Sequence, residues 1–142
     1  MFNKFIERER ILQGLTEGTL REYLRPIYPD ITKTEGQYNP TDAISLIKNM
    51  RSELKCRKKD YDTFMIEKDK WDKLQKYTED SVLYICSSRR GVWTFMTQKL
   101  PEPIWGIEMH NKTTECGDKT KIPKIVGYYP KELGEDITNL IL

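Results

Sequence analysis

Thr41-Asp42-Ala43-Ile44-Ser45-Leu46-Ile47-Lys48-Asn49-Met50-Arg51-Ser52-Glu53-Leu54-Lys55-Cys56 reads as two short extended runs joined by a turn. The first run covers 42–47 and follows Pro40; the second covers 51–57, with the turn at Lys48-Asn49-Met50. Successive side chains of a strand point to opposite faces, so Glu53 and Lys55 share one face. Folding the second run back along the first brings Asp42 toward them. Two carboxylates and an ammonium group meeting at one place can hold a divalent cation and a phosphate together. Hard oxygen ligands of this kind suit Mg²⁺ or Mn²⁺.

Upstream of this hairpin the spacing predicts two helices. Residues 3–13 carry Phe5, Ile6, Ile11 and Leu12 as apolar members, and Gly14 interrupts them. Thr16 is a suitable N-cap for a second helix that runs to Arg25, where Pro26 stops it. Leu20, Tyr23, Leu24 and Ile27 recur at helical spacing. Glu17 lies three residues before Leu20 and seven before Leu24, so it falls on the buried stripe. Either it is a first-turn acid favoured by the helix dipole, or it is a third acidic group aimed at the site. A short strand is predicted at Ile31–Thr34.

Downstream, 58–62 is an exposed connection, and Phe64-Met65-Ile66 leads into a helix over about 67–77 with Trp71, Leu74 and Tyr77 facing inward. Val82–Cys86 and Val92–Met96 read as paired strands around a Ser87-Ser88-Arg89-Arg90-Gly91 turn. Residues 101–123 read as irregular, 124–129 as a last strand, and the tail as a short helix. Helices, three strands, a helix and further strands make an α/β chain, a mixed sheet flanked by helices, in one domain over 1–142.

Composition narrows the class. No run approaches the roughly 20 apolar residues of a membrane span, and Met1–Arg8 lacks a signal-peptide core, so a cytoplasmic protein is expected. Cys56, Cys86 and Cys116 form no CxxC, which argues against zinc ribbons and disulfide scaffolds; His110 with Cys116 would be at most half a zinc site. A net charge of +2 announces no partner, but its distribution is uneven. Residues 48–76 hold ten Lys or Arg against six Asp or Glu, whereas 1–47 hold six against seven. Arg51, Lys55, Arg57, Lys58 and Lys59 crowd the hairpin, either as a solvated face or as a track for a phosphate backbone. Lys68 and Lys70 continue the patch along the following helix, where the spacing of Asp69–Lys73 and Asp72–Lys76 also allows simple surface pairs.

An acidic residue opening a strand, then Glu53-Leu54-Lys55 on the hairpin partner, resembles the PD-(D/E)xK nuclease superfamily. Thr63-Phe64-Met65-Ile66-Glu67-Lys68-Asp69-Lys70-Trp71 is similar to the segment that leads into the helix of small phage-type members, and the likeness spans residues 17–96. One departure is that Pro40 precedes Asp42 by two positions instead of one. The resemblance implies a restriction-endonuclease-like core and a metal-dependent DNA endonuclease that hydrolyses phosphodiester bonds, selective for junction or branched DNA and acting as a homodimer. It implies that Asp42, Glu53 and the Leu54 carbonyl hold Mg²⁺ or Mn²⁺, that Lys55 acts on the attacking water or the phosphate, and that Glu17 positions a second metal or a water. Arg51, Arg57, Lys58, Lys59, Lys68 and Lys70 would then bind DNA, in the host cytoplasm if the protein is phage-encoded. Two other readings use the same residues differently. In a non-enzymatic phage-encoded interaction protein, an inhibitor of a host system or a DNA-binding accessory factor, Asp42, Glu53 and Lys55 are surface charge. In a nuclease fold without activity, only the basic patch matters.

Overall fold

A computed structural model describes residues 2–34, 43–112 and 119–142. The chain begins with α1 (Phe2–Gln13) and α2 (Glu17–Tyr23). Thr16 caps α2 reciprocally: the Thr19 N–H donates to Thr16 Oγ1 at 3.2 Å, and the Thr16 N–H donates to Thr19 Oγ1 at 2.8 Å. Two otherwise orphaned donors are thereby satisfied at the helix start. Leu12, Leu20 and Leu24 are buried on the predicted stripe, but Glu17 is exposed. Glu17 sits with exposed Thr16 and Thr19 at the start of α2, before the helix turns its stripe inward at Leu20, which corrects the expectation that Glu17 lies on a buried stripe.

The hairpin forms as β1 (Ala43–Ser45) and β2 (Met50–Cys56), paired antiparallel with Ala43 opposite Ser52. Asn49 closes the turn with φ 49°, in the left-handed region that asparagine tolerates better than most residues. Asp30 holds the turn from outside, accepting from the Ser45 hydroxyl and from the N–H groups of Leu46 (2.9 Å) and Ile47 (3.0 Å). The expected strand at 31–34 reduces to a single bridge, Thr32 to Ile44.

The next segment departs most from expectation. Residues 63–67, expected only to lead into a helix over about 67–77, form a strand, β3 (Thr63–Glu67), and the expected helix follows at once as the shorter α3 (Lys68–Leu74). The reason is the alternation of buried Phe64 and Ile66 with more open Thr63, Met65 and Glu67, the period of a half-buried strand. β4 (Ser81–Ser88) and β5 (Gly91–Met96) form the expected hairpin, although Ser87 and Ser88 are buried strand residues and only Arg89-Arg90 make the turn. β6 (Gly106–Asn111) lies inside the stretch expected to be irregular, and β7 (Lys121–Pro130) begins earlier than expected. A 3₁₀ turn at Lys131–Leu133, β8 (Glu135–Asp136) and α4 (Thr138–Ile141) complete the chain.

Two sheets result, one five-stranded in the order β1-β2-β4-β5-β8 and one three-stranded in the order β3-β7-β6. The larger is mixed: β2 and β4 run parallel, with Glu53 beside Tyr84 and Lys55 beside Cys86, and the other pairs are antiparallel. The β3–α3 excursion supplies the crossover that a parallel pair requires. Side chains on β4 divide two cores by strict alternation. Leu83 and Ile85 join Leu12, Leu20, Leu24, Leu54 and Ile137 under the helices. Val82, Tyr84 and Cys86 join Phe64, Ile66, Leu74, Phe95 and Tyr129 against α3 and the smaller sheet. Since Leu54 lies on the helical side, Glu53 and Lys55 face the smaller sheet. The Tyr84 hydroxyl donates to the Met65 carbonyl at 2.8 Å and ties the two sheets together there. Among the described residues no helix is long and apolar enough to cross a membrane.

Candidate functional site

The cleft between the two sheets is lined by Glu53, Lys55, Arg57, Met65, Glu67, Lys70 and Tyr84. Each arrives for a separable reason. Glu53 and Lys55 come from the outward period of β2, and Arg57 extends that row because its N–H still donates to the Ser87 carbonyl at 2.8 Å. Glu67 is the last residue of β3, and Lys70 lies one turn into α3, so the strand-to-helix junction delivers an acid and a base to the same place. Tyr84 rises from the central strand as the floor. The enclosed volume of ≈ 20 Å³ is about that of one bound water or small cation.

The charges in this cleft are tightly interlocked. Glu53 is nearly buried, its side chain 8% exposed, and Lys70 Nζ lies 3.1 Å from its Oε1. Lys124 Nζ lies 2.8 Å from Glu67 Oε1. Burial pushes the Glu67 carboxyl up, but the hydrogen bond from Lys124 and the positive charges of Lys124, Lys55 and Lys70 outweigh it and leave the group below its ordinary value. Lys55 is held below the ordinary lysine value, first by burial and then by Arg57; the opposing pulls of Glu67, Glu17 and Glu53 do not compensate. Burial raises the Tyr84 hydroxyl strongly, so it stays a neutral donor to Met65.

The expected site residues therefore divide. Glu53 and Lys55 lie together in the cleft, and Glu17 acts on Lys55 through its charge from the start of α2. Asp42 lies outside the described residues, as does Cys116. Leu54 contributes its backbone to the β2 ladder and its side chain to the helical core. Of the basic set, Arg57 and Lys70 line the cleft, and Lys58 and Lys59 are exposed beyond it. Lys68 pairs with Asp72 at 2.9 Å. Arg51 is tied to Glu79 at 2.9 Å and covers the Tyr77 ring at 4.4 Å. The Arg89-Arg90 turn is drawn to Glu9 of α1. Sequence reading missed Glu67 and Tyr84; for Glu67 the alternation of Thr63–Glu67 was the signal, since it puts Glu67 on the Met65 face.

Mg²⁺ binds through one or two carboxylates and keeps several waters. Glu53 and Glu67 supply two hard oxygen donors to the cleft, each already paired with a lysine, Lys70 and Lys124. Among the described residues no group of three or more His, Cys, Asp and Glu is gathered closely enough to hold a metal by itself. Lys70 now stands on Glu53 as the cation. Compared with protein-family models, curated proteins and solved structures, the chain matches none.

Proposed function

We propose that this protein is a metal-dependent DNA endonuclease of the PD-(D/E)xK type, with a restriction-endonuclease-like core. The observation that carries the reading is the pairing of Glu53 and Lys55 on one face of β2, both in a cleft that a second carboxylate, Glu67, also enters. The parallel placement of β2 and β4 across a helical crossover supports it. Glu53 and Glu67, with Asp42 and the Leu54 carbonyl of the resemblance, would hold Mg²⁺ or Mn²⁺. When bound, such an ion acidifies a water and screens the phosphate.

The chain's own residues do the rest. Lys55, partly stripped of water, yields its proton more readily than a surface lysine and would act on the attacking water or on the phosphate. Arg57 meets the next stretch of backbone negative charge, and exposed Lys58 and Lys59 extend that path. Tyr84 fixes the floor by its bond to Met65. Glu17 tunes Lys55 from the helix side.

The test is nicking of supercoiled plasmid with Mg²⁺, with Mn²⁺ and with chelator. Cleavage that needs the ion and falls at least about a hundredfold in Glu53→Gln and Lys55→Ala is expected. Cleavage by neither metal, or unchanged cleavage in both variants, overturns the reading. A second reading, a non-enzymatic interaction protein, is favoured by one observation: Ile107 (75% exposed) and Met109 (59%) share one face of β6, and exposed Ile104 (95%) precedes the strand. Exposed apolar patches mark protein contacts. Nicking by the purified chain alone decides between the two.

A further inference from the structure

Beside the cleft is a second, more open cavity of ≈ 260 Å³, bounded by Arg57, Tyr61, Thr63, Met65, His110 and Tyr128 over the Phe64 backbone region. Arg57 and Met65 line both spaces, so the two are neighbours. Their separation along the chain is short: Lys55 and Arg57 are two residues apart on extended backbone, roughly 6.6 Å, a span that one nucleotide covers. The cavity's lining is also specific. Tyr61 and Tyr128 are each 41% exposed, offering ring surface rather than burying it. The outer wall is organised by Glu108, which accepts from the Tyr128 hydroxyl at 2.7 Å and lies 2.9 Å from His110 Nε2. That carboxylate fixes both polar edges, and its bond from Tyr128 holds the phenol protonated.

We propose that this cavity receives one unstacked nucleobase of the DNA strand whose phosphate lies at Glu53 and Lys55, so that the substrate class is single-stranded or locally unpaired DNA. The inference rests on the nuclease reading above and specifies its substrate. Arg57 meets the phosphate between the two positions, and the tyrosine rings provide the stacking surface that any base can use. Thr63 brings a hydroxyl that both donates and accepts, the Tyr128 oxygen, its proton given to Glu108, can still accept, and His110 keeps its Nδ1 for the base edge. The volume suits a single base and is below that of ordinary drug-sized pockets. A base within a fully paired duplex reaches it only after the cost of unstacking, which a bulge, flap or single strand has already met.

The experiment separates binding from cleavage. Wild-type protein in chelator is titrated with fluorescein-labelled oligonucleotides of one sequence, as perfect duplex, as duplex with a single bulged 2-aminopurine, and as single strand. Anisotropy reports affinity, and 2-aminopurine emission reports stacking in the cavity. The bulged and single-stranded forms are expected to bind about tenfold or more tighter than the duplex, with 2-aminopurine quenched on binding. Tyr61→Ala and Tyr128→Ala are expected to erase most of that preference, and Tyr61→Phe and Tyr128→Phe to keep it, since rings and not hydroxyls stack. Equal affinity for duplex and unpaired forms, or a preference unchanged in both alanine variants, overturns the inference. Metal-dependent nicking with no unpaired preference removes the cavity's role and leaves the nuclease standing. A ring-dependent preference without nicking under any metal removes the nuclease and leaves a single-strand binding cavity.

Discussion

Lys55 carries the clearest conflict between stability and use. Its ammonium is partly desolvated, and Arg57 adds like charge, so the folded protein holds the charged form less well than the unfolded chain does. Between the depressed folded value and the ordinary 10.5, the unfolded chain binds more protons, so stability rises with pH there. The contribution is fully present above 10.5 and is lost as pH falls through the folded value. Lys55→Met keeps the aliphatic stem and removes the charge. The variant is expected to melt higher than wild type near neutral pH, with the gap closing as pH approaches 10.5, while plasmid nicking is lost. A variant that melts lower at neutral pH would mean that the pulls from Glu67, Glu17 and Glu53 outweigh burial.

Lys70 presents the complementary case. It stands on the nearly buried Glu53 at 3.1 Å while its own side chain is 36% exposed. Lys70→Ala is expected to cost about 1–2 kcal/mol, between the small worth of a surface pair and the larger cost of breaking a buried one. If Glu53 helps to hold a divalent ion, that ion replaces the missing cation. Added Mg²⁺ should then raise the melting temperature of the variant more than that of wild type. An equal shift in both proteins would separate Lys70 from the metal site.

At the level of elements, the smaller sheet reaches the core by a close approach. Gly127 of β7 lies under Pro103 and Trp105: an added Cβ would stand 2.5 Å from Pro103 Cβ and 3.1 Å from the Trp105 ring. Trp105 in turn meets Trp71 edge to face, with centroids 5.8 Å apart. Gly127→Ala must displace this packing and is expected to cost about 1–3 kcal/mol, measured as a lower urea midpoint at unchanged slope. The same elements show what sequence can and cannot disclose. The β1–β2 and β4–β5 hairpins were legible because their apolar runs are local and bounded by clear turns. β3 was not, because Phe64-Met65-Ile66 is a short apolar run that reads as a lead-in to the helical segment beside it. β6 was hidden because Ile107 and Met109 are exposed and the opposite face is polar, so no buried stripe marks it. In the cleft, Glu53 and Lys55 declared themselves by their spacing of two. Glu67 and Tyr84 did not, since they meet those residues only through the β3–α3 crossover and the parallel β2–β4 register.

For the whole molecule, a net charge of +2 is too small to draw DNA by itself, so any electrostatic affinity must come from where the charge lies. The structure divides the basic residues into those already paired and those open to a ligand. Arg51 is held by Glu79 and Tyr77, so its charge is largely answered within the fold, whereas exposed Arg89 and Arg90 lean only loosely on Glu9. Lys58 and Lys59 are exposed on the loop that leaves the cleft past Arg57. Each phosphate neutralised releases counterions and steepens the salt dependence by about 0.9 in log–log slope on duplex DNA and about 0.7 on single strands. Lys58→Ala with Lys59→Ala is therefore expected to weaken binding of a single-stranded oligonucleotide regardless of sequence and to flatten its slope by about 1.4. Arg51→Ala should leave the slope nearly unchanged and lower the unfolding free energy instead. Anisotropy titrations from 50 to about 200 mM salt separate the two behaviours. A slope unmoved by the lysine pair, or moved as much by Arg51, would place the nucleic acid on a different face from the one that runs out of the cleft.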